Sequence, residues 1–346
     1  MTMTRRRWLI AGALFAVLIA VTGSFAIASA SRTADAPTRI TIAATQIVSF
    51  DNRDPDRTRF GALEFRGGLV LTSGYQPFGG LSAIHVEPDG SRFLAVTDRG
   101  SWLRGRIVYR DGRPDGIADA EMAPVLGRDG KPLAARGWQD VESLTESGGR
   151  FYAGIERVER VLSFDMRRDG LRARGRPVAV PPDFKTFVHN KGLECLTSPP
   201  KGFPLAGRLI AIAEKSLNAA GHHRGFVLAA GTDGVARFGV TRSNDFDITD
   251  CAVLPPGDLL LLERHYSPLR GVAMRIRRVP LARIEDGAVV DGKTLIEADL
   301  GHQIDNMEGL SVTRNARGET VVTLVSDDNF SAIQRNLLLQ FVLVDE

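Results

Sequence analysis

Four acidic residues at the ends of apolar runs are each followed at once by a base: Asp98-Arg99, Glu156-Arg157, Glu214-Lys215 and Glu263-Arg264. Each pair closes a short apolar run, and a fifth such run ends in Ser326-Asp327. Upstream of every run stands a phrase carrying Ser82, Glu142, Glu194, Asp250 or Glu308, with Asp305 and Asp328 close to the last. Carboxylates gathered within about 4–6 Å cannot all stay ionised without compensation; they shift pKa, pair with bases or take up a cation. Calcium suits such a set, because it accepts six to eight oxygen ligands in flexible geometry. The candidate metal ligands are therefore Asp98, Glu142, Glu156, Glu194, Glu214, Asp250, Glu263, Asp305, Glu308 and Asp327. Two other uses of the same residues stay open: a ladder of acid–base pairs between neighbouring elements, and anion contacts from the bases.

A repeat is what could bring them together. The upstream anchors recur every 52 to 60 residues, each followed by a Gly turn such as Asp89-Gly90, Gly148-Gly149 or Pro256-Gly257 and by a β-rich apolar run. Each copy reads as a hairpin of strands buried on both faces. A period this long with several strands per copy fits a β-propeller blade. Five copies are visible, and the length left over predicts six blades, the sixth assembled from an early strand at 40–49 and a late one at 337–344. In a hairpin the first strand begins where the second ends, so the paired acids should meet at one mouth of the ring. The expected fold is an all-β, six-bladed propeller over 31–346; two β-sandwich domains fit the regular beat less well.

Other chemistries are poorly served. Gly80-Leu81-Ser82-Ala83-Ile84 lacks the last glycine of a nucleophile elbow. Arg264-His265-Tyr266 is not the phrase of a histidine acid phosphatase, and no phosphate-binding loop or HExxH zinc phrase occurs among the six histidines. Cys195 and Cys251 follow Glu194 and Asp250 and read as equivalent positions on neighbouring blades, either as a disulfide or as two small buried apolar residues.

Arg5, Arg6 and Arg7 account for the whole net charge of +3, so the remaining chain is neutral and nucleic acid is not an expected partner. These arginines precede Trp8-Leu9, an apolar run and Ala28-Ser29-Ala30. That is the pattern of a twin-arginine signal peptide over 1–30, with an uncleaved anchor as the alternative. Either way the folded part is expected in the periplasm, touching membrane only through this segment.

Five phrases in order carry a family resemblance: Phe78-Gly79-Gly80-Leu81-Ser82 with Thr97-Asp98-Arg99-Gly100; Asn190-Lys191-Gly192-Leu193-Glu194; Leu261-Leu262-Glu263-Arg264; Asp305-Asn306-Met307-Glu308-Gly309-Leu310; and Ser326-Asp327-Asp328-Asn329-Phe330. Over about residues 65–345 the chain resembles phytase-like proteins described by esterase-like activity. The resemblance implies a propeller and hydrolysis of phosphate or carboxylic esters, without an assigned catalytic residue. More distantly it is similar to propeller phytases, which implies calcium on the acidic rim and phosphate contacts from Arg99, Arg157, Lys191, Lys215 and Arg264. The competing expectation is a propeller that binds a small ligand or a protein without turnover.

Overall fold

The computed structural model describes residues 36–228 and 234–344; the signal segment expected over 1–30 lies outside them. From Thr38 to Val344 the described residues form one compact unit. It is a propeller of five blades, each opening with an inner strand at the expected hairpin and antiparallel except where Val289–Val290 adds to blade 3 in parallel with Ala236–Val240. The inner and second strands are Leu81–Val86 and Arg92–Thr97 in blade 1, Val141–Ser147 and Arg150–Ile155 in blade 2, and Leu193–Thr197 and Leu209–Leu217 in blade 3. Blade 4 has Asp247–Leu254 and Asp258–Ser267, and blade 5 has Asn306–Arg314 and Thr320–Asp327. The inner strands touch in cyclic order, blade 5 meeting blade 1, so the ring is closed.

Five blades replace the six expected, because the terminal strands complete an existing copy and make no new one. Asn336–Leu343 is the third strand of blade 5, and Leu63–Thr72 and Ala43–Ile47 pair outward from it. Without them blade 5 would be a three-stranded sheet with an open edge. Early and late strands therefore do close the ring, inside the last repeat.

Each hydrophobic cluster sits between two neighbouring blades. Leu260 and Leu262 pack toward blade 5 with Met307 and Phe341, while Leu259 and Leu261 pack toward blade 3 with Ile210. Side chains alternate across a strand, so a run of four leucines feeds two interfaces at once. Cys195 and Cys251 form a disulfide between the inner strands of blades 3 and 4, with Cα atoms 5.1 Å apart.

Candidate functional site

Every inner strand carries an irregularity at the same place. Pairing skips Ser82 in blade 1, Glu142 in blade 2, Glu194 in blade 3, Thr249 in blade 4 and Glu308 in blade 5. A bulge of this kind leaves one residue unopposed and re-aims its side chain. The residue before it is apolar and buried each time: Leu81, Val141, Leu193, Ile248 and Met307. Those residues pair with Thr97, Ile155, Ala213, Glu263 and Ser326. The next residues along, Asp98, Glu156, Glu214, Arg264 and Asp327, form a second set of equivalent positions.

This register corrects blade 4 by one residue. Thr249 and Arg264, not Asp250 and Glu263, occupy the positions filled elsewhere by the candidate acids. Asp250 is buried and accepts N–H bonds from Cys251 and Leu310, both 2.7 Å, which tie blade 4 to blade 5. Glu263 is fully buried between Arg275, whose Nε is 2.6 Å away, and Arg277, whose Nε is 2.9 Å away. Both acids hold the wall. The cysteines are likewise not equivalent: Cys195 matches Asp250, and Cys251 matches Leu196. Asp305 accepts the N–H groups of Asn306 and Arg335 and anchors the loop after Asp327.

The remaining acids converge. Glu156, Glu194 and Glu214 each present a carboxylate oxygen within 4.8 Å of the others. Glu194 is nine-tenths buried and makes no hydrogen bond or ion pair among the described residues. Burial first, and then Glu142, Glu214, Glu156 and Glu308, push its pKa well above the usual carboxylate range. Burial and the charges of Asp140, Glu308 and Glu156 do the same to Glu142. Glu308 is pushed up to about 8, chiefly by burial and against the pull of Arg264. Burial also raises Glu156 to about 7, although the Gly192 N–H donates to it at 2.8 Å. Asp98 reaches about 7 through burial and Asp327, and its Oδ1 is buried without a partner; Asp327 reaches about 6. Gly80, at φ +65°, has no room for a side chain against the Asp98 carboxylate and the Phe330 ring.

The bases are mostly engaged. Arg264 spans from blade 4 to Glu214 of blade 3, 3.4 Å, and to Glu308 of blade 5, 3.3 Å, and also donates to Asn306. Lys215 pairs with Asp247 at 2.7 Å and Arg157 with Asp140 at 2.5 Å. Arg99 lies over the Phe330 ring, 3.2 Å from its centre, and Lys191 is exposed. Acid–base pairs therefore link blades around the same carboxylates that could hold a cation. Sequence reasoning passed over Glu159, which burial raises to about 7 beside Gly192. It also missed Thr249; the buried apolar residue before each bulge was the signal that would have found it. A cavity of about 1020 Å³ lies elsewhere, between blades 1 and 2 around His85 and Phe151, and none of the converging carboxylates lines it.

No curated protein matches the chain in sequence. Among solved structures it is similar to a glutaminyl cyclase from Myxococcus xanthus, with 12% identity over 76% of this chain and 95% of that one and a TM-score of 0.39. The N-terminal domain of Nup159 gives 11% over 86% and 99% with a TM-score of 0.36, and U3-55K gives 11% over 77% and 96% with 0.37. Superpositions this loose bear on neither site nor activity. The model of the phytase-like family, described as esterase-like activity of phytase, matches residues 76–330, and the chain belongs to that family.

Proposed function

We propose that the acid-lined mouth is the hydrolytic centre of a phytase-like propeller acting on phosphate or carboxylic esters, with a divalent cation held by Glu156, Glu194 and Glu214. The observation that carries this reading is Glu194, buried and unpartnered while facing two further carboxylates. An unpaired buried carboxylate is costly, and an all-oxygen set with room for more ligands suits calcium better than zinc. When bound, such an ion supplies positive charge that polarises an ester oxygen and makes a neighbouring water more acidic. The chain's own groups do the rest. Arg264, fixed by Glu214 and Glu308, offers charge-assisted N–H donors to an ester oxygen. Glu308, with its pKa near 8, keeps a proton at neutral pH for a leaving group, and Asp98, near 7, can accept one.

The same reading takes the protein to be exported to the periplasm. The Arg5-Arg6-Arg7 segment supports it, and so does a disulfide, which persists in oxidising compartments. The deciding experiment follows p-nitrophenol release from p-nitrophenyl phosphate and p-nitrophenyl acetate, with calcium and then with chelator. Release that chelator stops is expected. Equal rates in both would remove the cation, and no release from either ester would remove the hydrolase.

A further inference from the structure

The interface between blades 1 and 2 is filled at one end only. Near the acid-lined mouth, Ala83, Val96 and Trp102 of blade 1 pack on Val141, Ala153 and Phe164 of blade 2. Side chains alternate across a strand, so the strand that offers Val96 next offers Leu94 and then Arg92, and the strand that offers Trp102 next offers Arg104 and Arg106. These arginines are tied down on blade 1 itself: Arg92 to Glu87 at 2.7 Å, Arg104 to Glu121 at 2.5 Å and Arg106 to Asp119 at 3.1 Å. On blade 2 the run through Ala153 and Phe151 goes back to Gly149, which has no side chain to offer. The blades therefore part, and the cavity of about 1020 Å³ opens between them. It lies at the Gly148-Gly149 turn, the end of the hairpin away from Glu142 and Glu156.

Two charged groups in this cavity have no opposite charge paired with them. Arg167 makes no hydrogen bond or ion pair among the described residues, and its guanidinium carbon lies 2.9 Å from the place a Cβ on Gly149 would take. Glu146 accepts the Gly149 N–H at 2.5 Å and makes no ion pair either. A cation and a carboxylate thus flank one glycine without meeting each other. Phe151 stands opposite Glu146 on the paired strand, so the two share a face. The His85 ring meets Phe151 in a T, with centroids 5.3 Å apart, and makes no hydrogen bond among the described residues. Burial holds the pKa of His85 below its ordinary value against the pull of Glu146, so at neutral pH the imidazole has one donor and one acceptor to offer. Met166 adds a thioether beside these rings.

We propose that this cavity binds an aromatic zwitterion, with its carboxylate at Arg167, its ammonium at Glu146 and its ring along Phe151 toward His85. A ligand with a single charge would leave the other lining group unmatched, and one without a ring would leave Phe151 and His85 in water. An aromatic amino acid and a dipeptide containing one share this chemistry. The site is separate from the acid-lined mouth, needs no metal ion and does not rest on the hydrolytic reading.

The test is calorimetric titration at neutral pH with phenylalanine and with glycylphenylalanine, the tighter of which names the source. Three probes each lack one part: hydrocinnamate the ammonium, phenethylamine the carboxylate and glycine the ring. Losing either charge should weaken binding about tenfold or more, and glycine should not register. Arg167→Gln, at an exposed position, should bind phenylalanine no better than phenethylamine, and Glu146→Gln should bind it no better than hydrocinnamate. No binding of either zwitterion, single-charge probes that bind as tightly, or an Arg167→Gln protein that still discriminates would overturn the proposal. So would binding that a calcium chelator abolishes, because the ligand would then sit at the mouth. Binding that persists in a protein hydrolysing no ester would count against the hydrolytic reading alone.

Discussion

Arg264 of blade 4 stands at the position that Glu214 fills in blade 3, and its guanidinium lies 3.4 Å from that carboxylate. One base thus replaces one acid in a fivefold pattern, and it reaches both neighbouring blades. Arg264→Gln should leave Glu308 with only the Asn306 amide beside it and Glu214 with only the charges of Lys215 and Lys191. Their pKa values should climb further, and the loss of stability should be larger at pH 8 than at pH 5, where Glu308, already raised to about 8, carries its proton. A fully buried pair loses about 3–5 kcal/mol when one partner goes; the side chain of Arg264 is 27% exposed, so about 2 kcal/mol is expected at pH 8. Urea melts at the two pH values measure the difference, and an equal loss at both would contradict it.

The raised carboxylates also set the pH dependence of the parent protein. An acid whose pKa is higher folded than unfolded binds more protons in the native state between the two values, so stability falls as pH rises through that interval. The window here opens near the ordinary values of about 4 and extends through Asp327 at about 6, Asp98 and Glu156 at about 7, and Glu308 at about 8. Without added cation, the melting temperature should drop steadily from pH 5 to pH 8. Added calcium should raise it more at pH 8 than at pH 5.5, because the ion displaces protons from the same oxygens. Calorimetry with and without calcium across that range checks both slopes; a calcium effect independent of pH would separate the ion from these carboxylates.

The sequence displayed the repeat and the acids, because both are properties of local phrases. It did not display the register of blade 4. Aligning Leu261-Leu262-Glu263-Arg264 on its acid matched the letter pattern of Ile155-Glu156-Arg157, but the side-chain direction is set by the strand's alternation and by the bulge after Ile248. A slip of one residue exchanges the two faces, so Glu263 turned into the blade 3 interface and Arg264 into the mouth. The blade count failed for a different reason. A residue total divided by a period cannot tell whether the 43–72 segment starts a new blade or finishes the last one; only pairing of Leu63–Thr72 with Asn336–Leu343 decides that.

The disulfide joins inner strands of adjacent blades directly behind Glu194 and beside Asp250. Cys195→Ala/Cys251→Ala removes a cross-link spanning 56 residues. In the chain-entropy account this is worth about 4 kcal/mol of unfolding free energy. The double variant should unfold at lower urea with a somewhat steeper slope, because the unlinked denatured chain exposes more surface, and no wild-type-like melt should persist after full reduction under denaturing conditions and refolding in reductant. An unchanged midpoint would mean that packing between Ile210, Ile248 and Leu261 alone holds these blades.

Glu194 and Glu263 are both buried glutamates on neighbouring blades, yet their neutral variants should behave in opposite ways. Glu263 is enclosed by two guanidiniums, one of them reaching on to Asp291 at 2.6 Å and to the Thr241 carbonyl at 2.8 Å. Glu263→Gln leaves Arg275 and Arg277 charged in the interface with a weaker acceptor between them, and a loss of about 3 kcal/mol is expected. Glu194 is surrounded by carboxylates and makes no ion pair of its own, although the Arg264 charge is felt there. Glu194→Gln removes a charge that burial and four neighbours already disfavour, so stability should stay within about 0.5 kcal/mol of the parent or rise, while calcium binding and ester turnover are lost. Denaturant melts and calcium calorimetry on both variants separate the cases. Turnover surviving in a stable Glu194→Gln protein would take the hydrolytic role away from the three-glutamate cluster, and an unperturbed Glu263→Gln protein would show that the two arginines find compensation elsewhere in the blade 3–blade 4 interface.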